Sequence, residues 1–133
     1  MSATILVCDD EPHIVHVVAS KLRNAGFEVL PASNGQEGLE IAQAEIPDLI
    51  FTDYQMPLLS GLELCAKLRS DDRTRDIPVV ILSARGFSLE DAVNSLENIR
   101  KVMPKPFSPR EILETAQQMT GIKNNQPKAT TSN

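Results

Sequence analysis

Short apolar runs alternate with amphipathic stretches along almost the whole of this chain, and few folds accommodate that alternation. Four runs read as strands: Ile5 to Cys8, Phe27 to Leu30, Leu49 to Thr52 and Val79 to Leu82, with a weaker fifth at Lys101-Val102-Met103. Three of them are continuous and rich in Val, Ile and Leu, as strands buried on both faces are. The second admits Glu28, which suits an edge strand.

Helical signals fall between the runs. Pro12 suits the first turn of a helix reaching about Ala25, with Gly26 as its stop, and Ile14, Val15, Val18 and Leu22 form its apolar stripe. Ser33-x-x-Gln36 and Ser60-x-x-Glu63 resemble capping boxes. Leu89, Ala92, Val93 and Leu96 share one helical face, and Ser108-Pro109-Arg110-Glu111 opens a last helix through about Met119.

Strand and helix repeated five times predicts parallel strands joined by right-handed crossovers, an α/β doubly wound sheet. The 133 residues fit one domain, set at 1–121, followed by a disordered polar tail at 122–133. The net charge of −5, with no basic stripe, argues against direct nucleic-acid binding. Cys8 and Cys65 show no metal-ligand spacing and read as buried thiols of a reducing cytoplasm. No apolar run is long enough for a membrane span, and no secretory signal is visible, so the expected location is cytoplasmic, without membrane contact.

Doubly wound sheets place their sites beyond the carboxyl ends of the strands. Reactive side chains gather there in this chain. The first strand ends in Asp9-Asp10-Glu11, the third in Asp53, the fourth in Ser83, and the fifth runs into Lys105-Pro106. Crowded carboxylates cost free energy unless a cation neutralises them, and a hard ion such as magnesium takes oxygen ligands. Asp53 then suits a carboxylate nucleophile, with Lys105 and Ser83 placed to contact a phosphoryl group. Singly these residues have plainer readings: Asp9 and Asp10 as a solvated cap, Ser83 as an ordinary strand end, Lys105 as a surface lysine. His13 and His16 read as an exposed pair, Arg69 to Asp76 as a solvated helix end, and Leu58, Leu59 and Leu62 as a small apolar surface or a partly buried loop.

Taken together, these pieces resemble the receiver domains of bacterial two-component response regulators, including the stand-alone chemotaxis regulators. The resemblance rests on Ile5 to Glu11, Asp48 to Pro57, Gly61, Ile81 to Ala84 and Lys105-Pro106-Phe107, and covers Thr4 to about Met119. It implies a flavodoxin-like, five-stranded (βα)5 sheet in the order 2-1-3-4-5. It implies that Asp53 accepts a phosphoryl group from a histidine kinase or phosphotransfer protein, and that Ser83 and Lys105 contact that group. It implies a magnesium or manganese ion bound by Asp10, Asp53 and the backbone carbonyl of Gln55, with Asp9 reaching it mainly through water. It also implies a cis peptide between Lys105 and Pro106, an unidentified downstream protein target and a phosphorylation-dependent dimer. Such a protein catalyses only its own phosphorylation and dephosphorylation and is not a turnover enzyme.

The chain departs from the family pattern in two places. Val102 stands where the family usually carries the aromatic ring that moves with the strand-end hydroxyl, and Pro104 adds a proline before Lys105. Gln55 and Arg85 occupy positions expected to tune the lifetime of the phosphoryl group, Arg85 by occluding the attacking water. Three other functions fit the residues less well. An aspartyl-phosphate hydrolase usually has a second aspartate where Gln55 stands. A bare interaction module should have lost part of the acidic set. A dinucleotide-binding domain needs a glycine-rich loop after the first strand, where this chain has Asp9-Asp10-Glu11-Pro12.

Overall fold

The computed structural model describes residues 3–83 and 96–122. Its elements run β1 (Thr4–Cys8), α1 (Pro12–Asn24), β2 (Glu28–Ala32), α2 (Gly35–Glu45), β3 (Leu49–Asp53), α3 (Gly61–Arg69), β4 (Val79–Ser83), β5 (Ile99–Pro104) and α4 (Pro109–Thr120). The helical face expected at Leu89, Ala92 and Val93, the position of Arg85, and all but Ile122 of the expected tail lie outside the described residues.

All strand pairs are parallel, and the sheet order is β2-β1-β3-β4-β5, as expected. The apolar runs explain why. Side chains alternate between faces along a strand. Ile5, Val7, Leu49, Phe51, Val80 and Leu82 face a layer formed with Val18 and Leu22 of α1 and Ile112 and Ala116 of α4. Leu6, Cys8, Ile50 and Ile81 face the opposite layer, formed with Leu39 of α2 and Leu64, Cys65 and Leu68 of α3. A strand covered on both sides needs apolar residues at every position, and β1, β3 and β4 meet that need. Both cysteines are buried and free, and burial pushes the Cys65 thiol up to about 12.

The cap signals hold with one correction. Ser60 and Ser108 form complete capping boxes with Glu63 and Glu111. The helix α2, however, is capped by Asn34 and not Ser33: Asn34 Oδ1 accepts the Glu37 N–H at 2.7 Å. Ser33 instead donates its N–H and hydroxyl to Glu37 Oε1 at 2.7 and 2.9 Å. The carboxylate of Glu37 thus reaches one residue beyond the cap, and those hydrogen bonds hold its pKa below the usual range.

The fifth strand is longer than the apolar run suggested, and it is irregular. Val79 pairs with Ile99 but Val80 pairs with Lys101, so Arg100 is an extra residue at a bulge. Downstream of it the alternation is shifted: Val102 joins Ile99 in the α2–α3 layer, while Met103 joins the opposite one. Met103 and Lys101 both reach Thr115 on α4, the latter through Nζ at 3.3 Å.

Glycines fix the approach of the loop after β3. A Cβ on Gly61 would meet the Asp53 carbonyl oxygen at 2.5 Å, and the Gly61 N–H donates to the Tyr54 carbonyl at 2.8 Å. Leu58 lies at φ 73° in that loop and is 74% exposed, whereas Leu59 and Leu62 are half-buried against the α2–α3 layer. Urea denaturation should separate two kinds of local support. Ser108→Ala should lose about 1 kcal/mol with its cap. Gly61→Ala should lose about 1–3 kcal/mol, because the obstructing atom is backbone and cannot swing aside.

Candidate functional site

Strand register brings the reactive residues together. Cys8 is level with Thr52, Asp53 with Leu82, and Ser83 with Pro104, so Asp9, Asp53, Ser83 and Lys105 all stand at one rim of the sheet. A cleft of about 260 Å³ opens there, lined by Asp10, Glu11, Asp53, Tyr54, Gln55, Ser83 and Lys105. Asp9, Asp53 and Ser83 are buried, while Asp10 is exposed.

Lys105 is the hub. Its Nζ lies 3.0 Å from Asp9 Oδ2, 3.2 Å from Asp53 Oδ1 and 3.4 Å from Glu11 Oε1. Its own N–H donates to the Ser83 carbonyl at 2.7 Å, which fastens the chain after β5 to the end of β4. The peptide between Lys105 and Pro106 is cis. Backbone donors orient two acids: the Glu11 N–H reaches Asp9 Oδ1 and the Tyr54 N–H reaches Asp53 Oδ1, both at 2.9 Å.

The electrostatics follow from that crowding. Burial raises the pKa of Asp53, and the neighbouring charge of Asp9 raises it further, against the pull of Lys105. Burial likewise raises Asp9, against its bonds to the Glu11 N–H and to Lys105. Burial opposes the charge on Lys105, but its hydrogen bond and ion pair with Asp9, joined by Asp53, outweigh burial and leave its pKa raised.

One oxygen from each of Asp9, Asp10 and Asp53 lies within 4.8 Å of the others. Ligand oxygens around a magnesium ion bonded at 2.0–2.1 Å are separated by roughly 3–4 Å. Small side-chain rotations would bring the three carboxylates to that spacing. They are hard oxygen donors, and Asp9, Asp53 and Glu11 already share the one ammonium of Lys105, so a divalent cation fits the donor set and its charge. The expected residues therefore meet, with Gln55 lining the same cleft. The contact that sequence reading missed is Glu11 on Lys105. Its signal is the third acid in Asp9-Asp10-Glu11, directly after the two that the resemblance assigns to the metal.

His13 and His16 are exposed on α1, as expected. Val102 is half-buried against the α2–α3 layer. No helix among the described residues is long and apolar enough to cross a membrane.

Comparison with known proteins follows the same lines. Residues 5–117 match the family model of the response regulator receiver domain. The chain is 40% identical over 111 residues to the phosphate regulon transcriptional regulatory protein PhoB of Pseudomonas aeruginosa, covering 83% of this chain and 48% of that protein. It is 37% identical over 110 residues to the DNA-binding dual master transcriptional regulator RpaA of Synechocystis, covering 82% of this chain and 45% of that protein. The chemotaxis response regulator CheY4 of Vibrio cholerae superposes with a TM-score of 0.82 at 28% identity, over 90% of this chain and 99% of that one.

The chain thus spans about half the length of the curated relatives it matches. These relatives overturn the expectation that no direct nucleic-acid partner is involved, since they are transcriptional regulators and one is named as DNA-binding. The acidic balance that prompted the expectation describes the residues of this stretch and carries no information about the other half of such proteins.

The raised pKa values carry a sign that can be tested. An acid whose folded pKa lies above its unfolded value is destabilising when ionised, and stability is regained as pH falls through the folded value. In divalent-free buffer at neutral pH, Asp53→Asn should therefore unfold at higher urea than the parent. The gap should close as the pH falls through the raised Asp53 value. A less stable variant at neutral pH would mean that Lys105 outweighs burial and Asp9.

Proposed function

Given that the chain belongs to the response regulator receiver domain family, with residues 5–117 matching it, we propose that Asp53 accepts a phosphoryl group from a phosphohistidine of a partner kinase or phosphotransfer protein. Receiver domains are signalling switches and not turnover enzymes, so the consequence of the chemistry is a modified protein. The observation that carries the reading is the meeting of Asp53 with Asp9, Asp10 and Lys105 at one rim of the sheet.

In this reading an Asp53 carboxylate oxygen attacks phosphorus as the P–N bond of the donor breaks. The electron pair of that bond leaves with the imidazole nitrogen, and Asp53 becomes an acyl phosphate. The Tyr54 N–H and Lys105 hold Oδ1, which makes Oδ2 the attacking oxygen. Phosphoryl transfer asks mainly for in-line positioning and charge neutralisation. Lys105 supplies a fixed positive charge to a phosphoryl oxygen, and the Ser83 hydroxyl is placed at the neighbouring strand end to donate to another. Asp9, Asp10, Asp53 and the Gln55 carbonyl would hold a magnesium or manganese ion, which when bound neutralises charge on the carboxylates and the phosphoryl oxygens. Attachment of the group recruits Lys105 and Ser83 to new partners, and so couples Asp53 to the β4 and β5 ends and to the protein-binding surface they support.

Incubation with acetyl phosphate and magnesium chloride, followed by intact mass, should show the gain of one phosphoryl group. Asp53→Asn and addition of a chelator should each abolish that gain. Lys105→Ala should slow it on the order of a hundredfold, the usual loss for removing one donor that meets developing charge. Unchanged labelling of Asp53→Asn would place the acceptor elsewhere.

A further inference from the structure

Glu11 is the N-cap of α1. That position favours Ser, Thr, Asp or Asn, whose short side chains accept an N–H of the first turn. The Glu11 side chain makes no cap bond. It extends instead to Lys105, with Oε1 at 3.4 Å from Nζ. A lysine ammonium has three N–H donors and no acceptor. Around this one stand three carboxylates, Asp9 at 3.0 Å, Asp53 at 3.2 Å and Glu11 at 3.4 Å. A phosphoryl oxygen can reach Lys105 only by displacing one of them.

The three are unequal. The Asp9 side chain is fully buried, and its other oxygen is occupied by the Glu11 N–H. Removing its counter-ion would strand a buried charge. Asp53 is the reacting group and stays beside whatever it carries. The Glu11 side chain is 64% exposed and makes the longest of the three contacts. Water receives it at little cost.

We propose that Glu11 is a positioning residue that occupies the place of a phosphoryl oxygen on Lys105. It steadies the ammonium over the cleft before transfer and swings into solvent when the group arrives. The proposal rests on the reading of Asp53 as phosphoacceptor. No bond forms or breaks at Glu11, so its effect is one of competition: the incoming group must win Lys105 from it.

Two substitutions separate contact from charge. Glu11→Gln removes the charge. Glu11→Asp keeps the charge but shortens the side chain by one methylene, and aspartate is a favoured residue at the cap position. Phosphorylation by acetyl phosphate in magnesium chloride should run roughly two- to five-fold faster in both variants at low salt, the range expected for loss of one exposed ion pair. The ratio to the parent should fall toward one in high salt, where that pair is screened. Glu11→Asp should match or exceed the parent in urea stability because it supplies the missing cap.

Several results would overturn the proposal. A Glu11→Asp rate equal to the parent's beside a faster Glu11→Gln would reduce the effect to simple repulsion of an anionic donor. Variants no faster than a parent that does label on Asp53 would refute the proposal alone, as would a salt-independent ratio or a loss of stability in Glu11→Asp. A parent that gains no phosphoryl group on Asp53 would remove the underlying reading and the proposal with it.

Discussion

The ion pair between Lys105 and Asp9 is the interaction on which the site depends. It joins residues 96 positions apart in sequence, and so ties the first strand to the segment leaving the last. A fully buried carboxylate without that ammonium would face the cost of an uncompensated charge, several kcal/mol in scale. The pair also gathers Asp53 and Glu11 onto the same nitrogen. Sheet order makes this meeting feasible. With β1 and β3 adjacent and β4 and β5 beyond, the ends that carry Asp9, Asp53, Ser83 and Lys105 form a continuous rim.

The rim is held by backbone as well as by charge. Gly61 lets the start of α3 sit against the Asp53 carbonyl, and Gly35 lets the start of α2 sit against the Leu59 carbonyl, where a Cβ would come within 2.2 Å of the oxygen. The loop that follows Asp53 is thus pressed between two helix beginnings. Its exposed member, Leu58, accepts a left-handed backbone that a leucine does not favour. The reactive aspartate is fixed from behind, while Tyr54 and Gln55 on its open side line the cleft.

Much of this was legible in the order of residues because each local signal had a single physical solution. Continuous Val, Ile and Leu runs needed two covered faces, and Pro12, Ser60 and Ser108 marked helix starts that no strand could use. Reading was less sure where two solutions were equally local. Ser33 and Asn34 are both good caps, and the choice fell to Asn34, because Glu37 sits three residues beyond it and reaches back to Ser33. The irregular pairing of β5 was out of reach, since it depends on the register of that strand against β4. The relation to transcription was hidden for another reason: charge balance is a property of the stretch in which it is counted.

The unpaired Arg100 has a consequence for how the far edge of the sheet is addressed. Before it, odd-numbered side chains of β5 look toward α2 and α3; after it, they look toward α1 and α4. The strand turns over like a ribbon given a half twist, so its two ends speak to different helices. Were Arg100 instead paired in regular register with Val80, the ribbon would stay flat and the audiences of Val102 and Met103 would be exchanged. The stem that carries Lys105 toward the acids would then start from the wrong side, five positions before the ammonium is reached.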